Sequence, residues 1–285
     1  MTSNLTFAPP IGGFQEIDGR RVYLHRSGSG GPAVVFLPGA SAVGLDYFGV
    51  QQQVSEFTTA VVYDRGGSGY SDPLPQPRTA AAVATQLREL LRAQHIPGPY
   101  VLAAHSLGGF FAHRFAQLYP QDVAGLVWLD ALHHRWDDFM PPEASLGATE
   151  QQAPDLAQLR LMVPELRATY AESLADYPER LRQPLLEAKV SDGWLLAGAA
   201  ERCGLVDLAA ELRAGPALPG VPLIALTVAQ GPQEPKARLD AAVVDAVSGG
   251  EQRFITDTYH HRLCFDRPDA VVQAIRDVID QVGRP

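Results

Sequence analysis

The chain has 285 residues, of which 46% are hydrophobic and 19% charged, which is ample apolar material for a buried sheet covered on both faces. Its formal net charge of −9 argues against nucleic acid as a partner, because phosphate backbones attract basic surfaces. The two cysteines, Cys203 and Cys264, are far apart and have no CxxC spacing, which argues against a disulfide framework.

The first residues, MTSNLTFAPPIGG, have neither the basic head nor the apolar run of a signal peptide. No stretch approaches the roughly 20 consecutive apolar residues that span a bilayer. From these two features we expect a cytoplasmic protein that does not use a membrane as a partner.

Short apolar runs bounded by Gly and Pro predict buried strands, and a hairpin of 15–17 and 21–25 around Asp18 and Gly19 precedes them. These runs cover 33–37, 60–63, 100–104, 125–129 and 222–228. Helical spacing of apolar residues predicts helices over 79–95, 107–118 and 269–282. Alternating strands and helices indicate an α/β fold, in which a mostly parallel sheet carries helices on both faces.

Residues 133–219 break this alternation, because strand patterns vanish and Glu, Arg, Leu and Ala dominate. Insertions at the carboxyl edge of a parallel sheet commonly cover the ligand site. We therefore predict a core domain of 1–132 and 220–285, with a helical cap of 133–219 inserted after the sixth strand. A separate helical domain is the less favoured alternative, since strands and helices resume afterwards.

Ser106 is the candidate nucleophile, in the sequence VLAAHSLGG at 101–109. An apolar strand runs into a serine flanked by small residues, and a helix begins at once. Such a turn exposes the hydroxyl at a helix amino terminus, where the N–H of Leu107 can stabilise an oxyanion. The alternative is a serine that caps a helix.

The chain resembles the α/β-hydrolase family in four motifs, which cover nearly all of it outside the predicted cap. They are LPG at 37–39, YDRGGSG at 63–69, HSLGG at 105–109 and DRP at 266–268. Ala104 departs from the family's pattern, since a glycine is usual there. The resemblance implies an eight-stranded sheet, a small-molecule substrate, no cofactor and no metal, and it leaves the oligomeric state open.

The resemblance also implies the second oxyanion donor, the backbone N–H of Ala40, although Pro38 replaces the usual histidine. An ordinary turn after the strand is the alternative interpretation of this segment. The stretch at 64–69 suggests a phosphate loop, but it lacks the Gly-Lys-Ser/Thr ending, and in the family it is a structural turn.

Acyl transfer from serine needs a base, which the family supplies from its last loop as histidine. Counting back from Asp266 by the family spacing selects His261, and His260 is the alternative. The acid that usually follows the seventh strand is missing. Asp130 at the end of the sixth strand is our choice for it, as in some relatives, and Glu234 is the alternative.

His133, His134 and the pair Asp137–Asp138 could join His260 and His261 around a metal. Adjacent side chains diverge, however, so no metal site is expected. The combined pattern predicts a serine hydrolase that acts on an ester, lactone, thioester or amide. A serine nucleophile argues against epoxide hydrolase or dehalogenase chemistry, which needs an alkylated carboxylate. The alternatives are an acyltransferase, a lyase or a cyclisation enzyme with the same triad, and a receptor with a vestigial triad.

Overall fold

The computed structural model describes residues 7–73 and 78–283. Over these ranges, eight strands form one sheet in the order β1-β2-β4-β3-β5-β6-β7-β8. The pairs β1–β2 and β2–β4 are antiparallel, and all other neighbours are parallel. The predicted fold class, a mostly parallel eight-stranded α/β sheet, is therefore confirmed. The strands are β1 (Gly13–Ile17), β2 (Arg20–Ser27), β3 (Val34–Leu37), β4 (Ala60–Tyr63), β5 (Tyr100–His105), β6 (Val123–Leu129), β7 (Leu223–Val228) and β8 (Glu251–Ile255).

The central strands are buried along their whole length, as their uninterrupted apolar runs predicted. Every residue of β3, β4, β5 and β6 is buried. In contrast, β8 is an edge strand of sequence EQRFI with a single buried residue, Ile255. This strand is not predicted from the sequence, because a half-exposed edge strand has neither an apolar run nor a clean alternation.

Helices cover both faces of the sheet, and the three predicted ones are confirmed to within two residues at each end. Val50 and Ile275, on the first and last α-helices, share a core with Val127 of β6 on one face. Leu87 and Phe111 belong to the core on the other face. The α-helices are α1 (Phe48–Val54), α2 (Ala80–Ala93), α3 (Gly108–Leu118), α4 (Leu146–Gln151), α5 (Leu156–Ser173), α6 (Glu179–Lys189), α7 (Asp192–Ala200), α8 (Leu205–Arg213), α9 (Pro235–Val244), α10 (Leu263–Asp266) and α11 (Pro268–Val282).

Helices joined by short connections make up the stretch between β6 and β7, as expected for residues 133–219, which we call the helical segment. It contains α4 to α8 and two short 3₁₀ helices. Its assignment as a cap domain stays a prediction. Across the described ranges, no helix combines the length and the apolar character needed to cross a bilayer.

Candidate active site

Ser106 lies between β5 and α3 in a left-handed backbone conformation, with φ at 50°. Non-glycine residues rarely adopt this region, and the surrounding packing must hold them there. A Cβ on Gly108 would lie 2.2 Å from the carbonyl oxygen of Leu37, so glycine is needed for α3 to approach β3. A Cβ on Gly39 would lie 3.0 Å from the Cβ of Ser106. Two glycines thus allow the loop after β3 and the helix after β5 to meet at the serine.

His260 is the histidine that contacts Ser106, with Nε2 3.1 Å from the serine Oγ. Its Nδ1 hydrogen-bonds Oδ2 of Asp130. The three side chains form a continuous Ser–His–Asp chain, in which the carboxylate orients the ring and leaves Nε2 to face the hydroxyl.

The prediction that His261 faces Ser106 is wrong, and its neighbour makes that contact. His261 packs its ring edge-on against the ring of His260, with centroids 4.7 Å apart, and lines a cavity beside the site. Both residues lie in a short 3₁₀ helix, His260–Arg262, where consecutive side chains point in different directions. Only one of them can face the serine. The family spacing selected the adjacent residue, and no local pattern distinguishes the two.

Asp130, the predicted acid, lies directly after β6. Its backbone φ is 48°, and Oδ1 accepts a hydrogen bond of 3.2 Å from the N–H of Val228. Oδ1 also lies 3.1 Å from the ammonium of Lys236, which the sequence analysis missed. Burial raises the pKa of Asp130, but the charge of Lys236 and the contact with His260 outweigh burial, so the pKa is held below its ordinary range. Asp130 is therefore ionised at neutral pH.

Glu234, the alternative acid, serves a different purpose in the structure. It precedes α9, and its Oε1 accepts a hydrogen bond of 2.7 Å from the N–H of Gln230. The carboxylate thus closes the loop that leads into α9, and the contact with the imidazole is made by Asp130.

The two predicted oxyanion donors are the backbone N–H groups of Leu107 and Ala40. Leu107 follows Ser106 in the sequence, and Ala40 lies on the loop after β3, which packs against Ser106. Within 7–73 and 78–283, neither backbone N–H donates a hydrogen bond to a protein acceptor. The guanidinium of Arg65 holds the Ala40 loop by donating 2.6 Å hydrogen bonds to the carbonyls of Pro38 and Gly39. Through its arginine, the turn at 64–69 holds the loop beside the serine.

Arg65 is also bound to the helical segment through Glu201, at the carboxyl end of α7. The two side chains form a buried ion pair of 2.6 Å. The other oxygen of Glu201 accepts a 2.9 Å hydrogen bond from the N–H of Ser41. One carboxylate thus joins the helical segment, the turn after β4 and the Ala40 loop.

A second chain of hydrogen bonds passes behind the site, and the sequence analysis missed it. The Nε2 of His105 donates to the backbone carbonyl of His260 at 2.9 Å, since a carbonyl can only accept. The Nδ1 is then an acceptor, and the Tyr47 hydroxyl donates to it at 2.8 Å. The same hydroxyl accepts from the N–H of Gly39 at 3.2 Å. Burial lowers the pKa of His105 to about 3, which keeps this ring neutral. No motif marks Tyr47, so only its tertiary contacts identify it.

A cavity of about 250 Å³ adjoins the site between the core and the helical segment. Ala40 and His105 line it on the side of Ser106. Leu166, Tyr170 and Leu174 line it from the helical segment. A space of this kind, apolar with a few polar groups, suits a small organic molecule.

Among the described residues, His113, His133 and His134 form a cluster in which each offers one nitrogen within 4.8 Å of the others. His133 and His134 were expected beside His260 and His261, whereas the third ring, His113, comes from α3. Tetrahedral zinc needs nitrogens about 3.3 Å apart, so these rings would have to move inward. Burial and neighbouring positive charge, including Arg114 and Arg135, lower the pKa values of these histidines. The same positive charge opposes a divalent cation, and we assign this cluster no role in the reaction.

The model of the family described as "alpha/beta hydrolase fold" matches residues 32–182, more than half of the chain. The "Putative carbamate hydrolase RutD" of Cronobacter turicensis is 31% identical over 166 residues, which are 56% of this chain and 57% of that protein. The uncharacterised protein YbdG of Bacillus subtilis is 30% identical over 40% of this chain and 36% of its own length. The match thus spans about a third to little more than half of these curated relatives.

Two solved structures share the fold over nearly the whole chain. A thermophilic esterase from Thermogutta terrifontis superposes with a TM-score of 0.64 at 21% identity, covering 96% of this chain and 98% of its own. The Cif epoxide hydrolase from Acinetobacter nosocomialis superposes with a TM-score of 0.74 at 16% identity, covering 94% and 88%. At these identities the likeness shows the fold alone, so the reaction has to be inferred from the residues of the site.

Proposed function

The chain belongs to the α/β-hydrolase fold family, and from this premise we propose that it is a serine hydrolase. Its substrate is an ester of a small organic molecule, which it cleaves through an acyl-enzyme on Ser106. The observation that carries the proposal is the unbroken contact from the Ser106 hydroxyl through His260 to Asp130. The same contact argues against a receptor with a vestigial triad.

In the first half of the reaction, the Oγ of Ser106 attacks the ester carbonyl while Nε2 of His260 takes its proton. The carbonyl oxygen gains negative charge, which the free N–H groups of Ala40 and Leu107 stabilise. Asp130 stabilises the imidazolium that forms, and the carboxylate itself stays unprotonated. When the tetrahedral intermediate collapses, the proton on Nε2 passes to the departing alkoxide, and the alcohol leaves.

In the second half, water attacks the acyl carbon and gives a proton to Nε2 of His260. Collapse of the second intermediate releases the carboxylic acid and returns the proton to Oγ of Ser106. The neutral His105 supports both halves by holding the backbone carbonyl of His260. Because that bond fixes the main chain beside the base, the ring needs little reorganisation during proton transfer.

Labelling with a fluorophosphonate probe tests the nucleophile directly. We expect mass spectrometry to find a single adduct, on the peptide that contains Ser106, and Ser106→Ala to abolish both the adduct and the hydrolysis of 4-nitrophenyl butanoate. Ser68→Ala is a matched control, because Ser68 is a buried serine that hydrogen-bonds Glu201. Folded protein that leaves Ser106 unlabelled, or a Ser106→Ala variant that retains activity, would refute the proposal.

A further inference from the structure

The cavity beside Ser106 has the opposite charge balance to the whole protein. The chain has a formal net charge of −9. Yet the charged residues that line the cavity are Lys189, Arg202 and Arg262 against one carboxylate, Asp46. A cleft that is lined by positive charge raises the local concentration of anions, even in a protein whose net charge is negative. This cavity therefore favours an anion.

Two of the three cations are already neutralised by carboxylates. The ammonium of Lys189 lies 2.7 Å from Asp46 and is buried with it. Arg262 pairs with Asp266 at 2.9 Å and with Glu172 at 3.5 Å. Arg202 makes no hydrogen bond or ion pair through its side chain with any residue in 7–73 or 78–283. Arg202 is thus the cation in the cavity lining whose charge no described carboxylate neutralises.

The backbone of Arg202 is anchored, although its guanidinium pairs with no group among the described residues. Arg202 follows Glu201, whose buried carboxylate bonds Arg65 and the N–H of Ser41. The N–H of Arg202 donates to the carbonyl of Ala199 at 3.0 Å. These bonds hold Arg202 close to the loop that carries Ala40. Arg202 and His261 line the same cavity, which places the guanidinium near the histidine loop.

From these contacts we propose that Arg202 binds an anionic group of the substrate, so that the natural substrates are esters that carry a carboxylate. The inference rests on the proposed function, because it assumes that the ester carbonyl lies at Ser106. A guanidinium suits this role, since its planar N–H groups can donate two parallel hydrogen bonds to one carboxylate. The apolar side chains of Leu166 and Leu174 would contact the carbon chain between the two ends.

Binding to Ser106→Ala, which does not turn over, tests this recognition independently of catalysis. Calorimetry compares monomethyl adipate with methyl hexanoate, in which a methyl group replaces the carboxylate. In the Ser106→Ala background we expect the anionic ester to bind more tightly. Adding Arg202→Met should reduce the affinity ratio of anionic to neutral ester roughly 10- to 100-fold, the usual value of a charged hydrogen-bonded contact. Arg202→Lys should retain part of the preference.

Arg180→Met is the matched control, because Arg180 is an exposed arginine of α6 outside the cavity lining. It should change the ratio by less than about twofold. The inference would be overturned if Arg202→Met left the affinity ratio unchanged, or if the Ser106→Ala variant bound the neutral ester more tightly than the anionic one. Either result would hold whether or not the protein hydrolyses esters. Failure of the fluorophosphonate label at Ser106 would instead refute the proposed function and leave the binding ratio to decide the role of Arg202.

Discussion

The ammonium of Lys236 lies 3.1 Å from Oδ1 of Asp130, while Oδ2 of the same carboxylate contacts His260. Lys236 also pairs with Asp240, and all three groups are buried or nearly so. One buried cation therefore compensates two buried carboxylates, and one of these is the group that orients the histidine.

We predict that Lys236→Met destabilises the protein by about 3–5 kcal/mol, because it leaves two carboxylates buried without a counter-charge. Without the ammonium, burial and mutual repulsion would raise the carboxyl pKa values above those of the unfolded chain. The folded variant would then bind more protons than the unfolded chain, so its stability falls as the pH rises. Urea unfolding of both proteins should give a larger difference at pH 8 than at pH 5. Asp240→Asn, added to Lys236→Met, should restore part of the loss. A difference that does not depend on pH would contradict this account.

We predict that His260→Gln and His261→Gln differ sharply in activity. Removing the base from a triad typically costs 10⁴-fold or more, so His260→Gln should lower kcat/KM by roughly that factor. His261→Gln should lower it by less than about tenfold, because this residue touches the cavity and not the hydroxyl. Steady-state hydrolysis of 4-nitrophenyl butanoate measures both. Equal losses in two folded variants would contradict the contact between His260 and Ser106.

The acid can be tested in the same assay with a second pair of variants. Asp130→Asn should lower kcat/KM by about 10³–10⁴-fold, because the amide no longer stabilises the imidazolium. Glu234→Gln should leave most of the activity, since Glu234 accepts a hydrogen bond from Gln230 within its own loop. A variant Asp130→Asn with near-normal turnover would show that another group orients the base.

His105 should make the protein sensitive to acid. Its pKa is about 3 in the folded protein and close to 6.5 in an unfolded chain, so the unfolded chain binds the extra proton between these values. The stability from the neutral ring is complete above about pH 6.5 and is lost progressively as the pH falls toward 3, by at most about 5 kcal/mol. Protonating Nδ1 would also remove the acceptor for the Tyr47 hydroxyl.

We predict that His105→Gln, which does not titrate, removes this component. Urea unfolding between pH 4 and pH 7 should show a shallower loss of stability in the variant than in the unmodified protein. His95→Gln is a suitable control, because His95 is an exposed histidine that precedes β5, whereas Ser106 follows the opposite end of that strand. If both proteins lose stability in parallel as the pH falls, the buried ring is not the cause.

The sequence by itself determined the fold and the candidate nucleophile, because both follow from local patterns. Fully buried strands produce uninterrupted apolar runs, and the turn at Ser106 needs small residues at fixed offsets within a few positions. Asp130 could be chosen as the acid for a similar reason. It follows directly on a predicted strand, at the edge of the sheet where functional side chains collect.

Only the tertiary structure decided which of two adjacent histidines contacts Ser106, and which residues distant in the sequence lie at the site. His260 and His261 are chemically identical and adjacent, so the direction each takes depends on how the last loop packs against β5 and β6. No sequence motif marks Tyr47, Lys236 or Arg202. They are identified only because folding places Tyr47 beside Gly39, Lys236 beside Asp130 and Arg202 in the cavity lining. The edge strand β8 was missed for the same physical reason, since its identity comes from pairing with β7 and not from its own side chains.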